Sequence, residues 1–261
     1  MYIYTVDAFT DRPFRGNPAG VCVLETAKDD KWMQHVAAEM NHPETAFLLK
    51  ASDGYMLRWF TPKTEVDLCG HATLASAHVL WEQGLTSAPE IRFHTKRSLL
   101  KAKKHGLWIE MDFPVEPDEE TDAPKSMRES LGVPIKYIGR NRIDYIVEVE
   151  DEQTVKSLKP DLALMKSITT RGVLVTAKAD DEDTDFVSRC FFPAIGIDED
   201  PVTGSAHCCL GPYWAEKLGK TQLFARQISE RGGELRLKVT GERVLIYGQA
   251  VTVIKGELKA D

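Results

Sequence analysis

Three short stretches of this chain carry residue types that exchange protons. Asp198–His207, DEDPVTGSAH, sets Asp198, Glu199 and Asp200 ahead of a Thr-Gly-Ser turn and a histidine. DLCGHA places Cys69, Gly70 and His71 side by side, and NHPETAFLL puts Glu44 between Pro43 and an apolar run. A carboxylate with a reachable imidazole is the usual equipment for taking a proton from carbon and returning it elsewhere. Taken singly, each has a plainer reading: an acid at a turn is a solvated cap, and a histidine at a helix start is a cap or core residue. Asp198 and Glu199 are read that way. His78 and His207 are read as packing or surface residues. Cys69 has two readings, a small buried apolar residue or a thiol base whose pKa falls at a helix N-terminus.

Gly70 and Gly204 each open a segment that reads as a helix, GHATLASAHVLWEQG and GSAHCCLGPYWAEKLG. The first turn of a helix presents unpaired N–H groups and the positive end of the dipole, and a glycine there lets an anion come close. Such an entrance suits a small carboxylate. Neither has the Gly-x-x-x-x-Gly-Lys pattern of a phosphate loop, and no GxGxxG follows a strand, so no nucleotide site is expected. The five cysteines show no CxxC spacing, so no metal site or disulfide framework is expected.

The elements that must position these residues alternate between strand and helix. YIYTVDAF, GVCVLE, TAFLLK and YMLRWFT read as strands, and DDKWMQHVAAEMN as a helix with Trp32, Val36, Ala37 and Met40 at helical spacing. FVSRCFF, ELRLKV, RVLIYG and AVTVIKGEL are strand-like in the other half. RWFTP ends a strand at Pro62 and RCFFP ends one at Pro193; their arginines are 131 positions apart in a chain of 261. In both halves the order strand, proline, glycine, helix recurs, which points to a duplicated two-domain architecture. Residues 114–127, rich in proline and acid and without apolar period, read as a linker between 1–113 and 128–249.

A formal net charge of −7 argues against a nucleic-acid surface, and no apolar run is long enough to span a bilayer. The start, MYIYTVDAF, is strand-like rather than a signal peptide, and the odd set of cysteines suits a reducing, cytoplasmic setting.

DAFT with FRGNPAGV, NHPETAFL, DLCGHATLASAHVL, DEDPVTGSAH and the ending RGGELRLKV…RVLIYGQAVTVIKGEL together resemble the PhzF-type isomerase family of phenazine biosynthesis, over nearly the whole chain. The resemblance implies an α/β (α+β) diaminopimelate-epimerase-like fold: two pseudo-symmetric domains, each a barrel-like sheet around a central helix, with the site in a cleft between two lobes. Gly70–Gln83 and Gly204–Leu218 would be the central helices, and 250–261 would return to the first lobe. The family's chemistry is a cofactor-free proton shift within a cyclic amino-acid-like substrate, trans-2,3-dihydro-3-hydroxyanthranilate. Its catalytic residues fall on Glu44, His71 and Asp200, and a substrate-binding residue on Ser205. Asn17, Gly70, Thr203 and Gly204 would complete the binding of a small carboxylate, and a homodimer is implied. Related epimerases and racemases use paired cysteines. Cys69 matches one of the pair, but Pro201-Val202-Thr203 stands where the other would be. An amino-acid epimerase or racemase on this scaffold, or a non-catalytic binding relative, are the alternatives.

Overall fold

A computed structural model describes residues 1–259; the end of the expected return segment, 260 and 261, lies outside the described residues. The chain forms two compact units, one of Met1–Asp112 with the segment from Tyr247 onward, the other of Phe113–Ile246.

The first unit contains β1 (Tyr2–Ala8), β2 (Asn17–Leu24), α1 (Asp30–Met40), β3 (Glu44–Ala51), β4 (Gly54–Phe60), β5 (Glu65–Val66), α2 (Gly70–Glu82), β6 (Glu90–His94), β7 (Leu99–His105) and β8 (Trp108–Pro114), which carries the chain onward. β1 and β2 are antiparallel, β2 and β3 parallel across α1, and β3 and β4 antiparallel. β5 then pairs back on β4, β4 and β6 run parallel across α2, and β7 returns antiparallel. The C-terminal strand Ala250–Glu257 lies antiparallel to β1 on its other side, from Ala8↔Ala250 to Tyr2↔Glu257.

α1 is an ordinary amphipathic helix: Asp29 caps it by accepting from the Trp32 N–H at 2.7 Å, and Met33, Val36 and Ala37 pack with Phe47 and Phe60. α2 differs. His71 through Ala77, then Val79 and Leu80, are buried, so the helix is covered on nearly every side, as the expected central helix should be. It packs on β1, β2, β3 and the C-terminal strand. Small side chains make this possible, and the Thr73 and Ser76 hydroxyls donate back to the Cys69 and Ala72 carbonyls at 2.6 and 2.7 Å.

The second unit contains β9 (Glu119–Glu120), α3 (Lys125–Leu131), β10 (Tyr137–Arg140), β11 (Asp144–Glu148), α4 (Glu152–Ser157), α5 (Leu162–Met165), β12 (Gly172–Lys178), β13 (Phe186–Phe192), β14 (Ile197–Asp200), α6 (His207–Leu218), β15 (Gln222–Gln227), β16 (Gly233–Thr240) and β17 (Arg243–Gly248). Its pairings repeat those of the first. β10 and β11 are antiparallel, β11 and β12 parallel across α4 and α5, β12 and β13 antiparallel, and β14 pairs back on β13. β13 and β15 run parallel across α6, and β16 returns antiparallel. The duplication read from RWFTP and RCFFP is therefore a duplication of topology.

The shared arginine has the same work in both units. Arg58 makes a two-bonded fork to Glu65 at 2.7 and 2.8 Å and lies over Phe60 at 5.1 Å; Arg189 forks to Glu199 at 2.7 Å for both bonds and lies over Phe191 at 5.1 Å. Glu199 is thus an ion-pair partner within its unit and not the solvated cap expected for it, whereas Asp198 is exposed as expected.

Two local differences from the sequence reading concern α6. The helix begins at His207 rather than Gly204, because Gly204–Ala206 is wound more tightly: His207 N–H bonds the Gly204 carbonyl at 3.0 Å and Cys208 N–H bonds that of Ser205 at 3.2 Å. Pro212 sits inside the helix and has no N–H for the Cys208 carbonyl four residues back. The Glu116 N–H supplies that bond instead, at 2.9 Å. Residues 114–127, expected as a linker, thus run along the second unit, with Val115 N–H on the Glu242 carbonyl and β9 paired to β10.

Candidate active site

In the first unit β3 and α2 bring three side chains to one place. Glu44 is the first residue of β3, opposite Ala19 of β2, and His71 is the second residue of α2, with Cys69 at its N-cap position. Glu44 Oε2 is 3.3 Å from His71 Nε2, and Cys69 Sγ is 3.5 Å from His71 Nδ1. The imidazole is 7% exposed, and this burial, helped by the nearby His42, pushes its pKa down to about 3. Burial thus favours a neutral ring at pH 7, with the Glu44 carboxyl 3.3 Å from its Nε2. With Glu44 as a carboxylate, which only accepts, Nε2 carries the ring hydrogen and Nδ1 is left to accept from the Cys69 thiol. His42, beside Thr5 at 3.0 Å, contributes from the turn before β3.

Glu44, Cys69 and His71 also offer one donor atom each within 4.8 Å of one another, so among the described residues they form a set able to hold a metal ion. The sulfur approaches the Nδ1 side of the ring while the carboxylate meets Nε2, a chain-like order that suits proton relay better than a shared ion. Asn17, fully buried, starts β2 two residues before Ala19, and Gly70 gives α2 its first turn.

In the second unit Asp200 ends β14, and its carboxylate accepts from the Thr203 hydroxyl at 2.5 Å. Gln227, wholly buried at the end of β15, clamps this loop: its side chain donates to the Asp200 carbonyl at 2.7 Å and accepts from the Thr203 N–H at 2.9 Å. Ser205, in the turn before α6, accepts from Arg171 Nη1 at 3.2 Å, and Arg171 forks to the buried Asp144. His207 is completely buried with Nδ1 2.8 Å from the Thr203 carbonyl, a packing residue as expected; burial lowers its pKa to about 4. Gln227, Arg171 and Asp144 were not singled out from sequence; lying 24 to 34 positions from their partners, they leave no local pattern.

The structure thus groups Glu44, Cys69 and His71 in one unit, and Asp200 with Thr203, and Ser205 with Arg171, in the other.

Residues 6–256 match the family model described as phenazine biosynthesis-like protein. The chain is 58% identical over 258 residues to a Halalkalibacterium halodurans protein named an uncharacterized isomerase, covering 98% of this chain and 97% of that one. A Pseudomonas aeruginosa protein, also named an uncharacterized isomerase, is 47% identical over 258 residues, at 99% and 98% coverage. A solved PhzF-family phenazine biosynthesis protein of Enterococcus faecalis superposes with a TM-score of 0.96 at 42% identity, covering 99% of both chains. The fold is shared with a protein described as a probable proline racemase from Agrobacterium radiobacter, at 14% identity and TM-score 0.62, covering 100% of this chain and 93% of that one. The two repeated sheets, each around its buried helix, are those of the diaminopimelate-epimerase-like fold, and the chain belongs to the phenazine biosynthesis-like PhzF family.

Proposed function

We propose that the protein is a cofactor-independent isomerase that moves a proton within a small, carboxylate-bearing, amino-acid-like substrate. The relatives named isomerases support an isomerase-type enzyme. The observation that carries the finer reading is the 3.3 Å contact between Glu44 and a buried, neutral His71. Glu44 takes the proton from a substrate carbon, the C–H electron pair stays on the substrate and shifts its double bond, and the proton returns at a second carbon. His71 steadies the acid through its ring hydrogen, and Asp200 orients the substrate and shares in proton handling. Asn17, Gly70, Thr203, Gly204 and Ser205 hold the substrate and its carboxylate. On the family pattern the enzyme works as a cytoplasmic homodimer in a biosynthetic process, a setting that five buried thiols without a disulfide suit.

Incubation with cyclic and acyclic amino acids in deuterated water tests this. Solvent deuterium entering the substrate together with a moved double bond is the expected result. Glu44→Gln and Asp200→Asn should each lower incorporation by at least a hundredfold while remaining folded, in line with the loss of a general acid–base group. Full activity of Glu44→Gln removes the proposal. Dialysis against a chelator should leave the rate unchanged; a loss restored by a metal ion would assign the Glu44–Cys69–His71 donors a metal instead. The second reading, an amino-acid epimerase or racemase, is favoured by Cys69 lying against His71 Nδ1, and label with inverted configuration would establish it. Binding with no label would mark a non-catalytic relative.

A further inference from the structure

Arg171, just before β12, is held on several sides. Its Nε donates to Asp144 Oδ1 at 2.8 Å, Nη2 donates to Asp144 Oδ2, its guanidinium lies 5.3 Å from the Phe192 ring centre, and Nη1 donates to Ser205 Oγ at 3.2 Å. Asp144 is 1% exposed, so the fork is formed where water does little to compete. A serine oxygen that accepts from a fixed N–H has its own hydrogen left to point elsewhere.

The internal repeat gives this arginine its setting. Arg58 pairs with Phe47, three residues beyond Glu44 on β3; Arg189 pairs with Val175, three residues beyond Gly172 on β12. Gly172 is therefore the counterpart of Glu44. A Cβ at Gly172 would come within 2.2 Å of the Phe192 ring, so the place of the carboxylate is filled by an aromatic ring. Gly70-His71 and Gly204-Ser205 correspond at the two helix entries. Each unit thus joins the start of a central strand to a helix entry, by Glu44 to His71 at 3.3 Å in one and by Arg171 to Ser205 at 3.2 Å in the other. The two contacts lie one register position apart, since Arg171 is the counterpart of Pro43, and they carry opposite charge.

We infer that Arg171 is a positioning residue that orients the Ser205 hydroxyl as a donor to the substrate carboxylate, so that this contact selects anionic substrates. This rests on the proposed reading in which Ser205 touches the substrate.

The test is titration of the 15N-labelled full chain with anthranilate and with anthranilamide, following the Ser205 amide resonance. The wild type should bind anthranilate at least tenfold more tightly than the amide. Arg171→Gln should remove that preference, with anthranilamide affinity changed less than twofold. Arg171→Lys, which keeps the charge but not the fork, should behave like Arg171→Gln. Should the single variant fold poorly with Asp144 left unpaired, the Asp144→Asn/Arg171→Gln double variant removes both charges and must show the same loss of preference. A folded variant that keeps the tenfold preference overturns the role of Arg171 and leaves the isomerase reading standing. A wild type whose Ser205 resonance responds to neither compound overturns both.

Discussion

His71 and His207 are both kept neutral by burial, at about 3 and about 4 against an ordinary value of 6.5. The unfolded chain takes up protons at these residues as pH drops below 6.5, and the folded chain does not. Stability is therefore full above that value and drains as pH falls toward 4. Each histidine should cost on the order of 2 kcal/mol between pH 7 and pH 5. Urea unfolding at the two pH values measures it, and His71→Gln, which cannot take up that proton, should shrink the drop by about 2 kcal/mol. Equal stability at both pH values would contradict the neutral, buried state of the rings. At this scale sequence showed the residue types but not their state. DLCGHA displays a thiol and an imidazole two positions apart, but only the cover given by α2 and its sheet decides that the ring is uncharged.

The element scale is where the repeat is most legible. R-x-F-x-P could be read because one short strand end encodes a whole device: the arginine, the ring two residues on, and a glutamate returned by the next short strand. Glu199→Gln should cost about 1.5–3 kcal/mol in urea unfolding, the range for hydrogen bonds to a charged group. A cycle with Arg189→Gln should show that the double variant loses less than the sum of the singles. Gly172→Ala should cost about 1–3 kcal/mol by overpacking against Phe192, and Phe192→Leu in the same chain should recover part of it. Other features of these elements were not readable. Gly-Ser-Ala-His fits a tight turn and a helix start equally well, so the sequence alone places the beginning of α6 three residues early. The correspondence of Glu44 to Gly172 depends on strand register, which a periodicity does not contain.

Across the whole molecule the five cysteines are buried with no disulfide among them, and among the described residues no helix is long and apolar enough to cross a membrane. Burial raises the thiol of Cys190 and pushes those of Cys22 and Cys208 up to about 12, so neither access nor ionisation favours reaction in the folded state. With a chromogenic disulfide reagent at pH 8, Cys22, Cys190 and Cys208 should react only at the rate of unfolding, as read by mass spectrometry of the labelled peptides; fast native labelling would contradict their burial.

The strand Ala250–Glu257 completes the sheet of the first unit, whereas Phe113–Ile246 is continuous in sequence. On a ribosome, then, the half made later is the half that can be finished sooner: everything it needs has emerged once residue 246 has cleared the tunnel. Residues 1–112 must wait with the outer edge of β1 unpaired, a template for unwanted pairing, until 250–257 have been made. A stop codon at position 249 should for this reason leave a nascent product whose leading half aggregates while its trailing half resists protease.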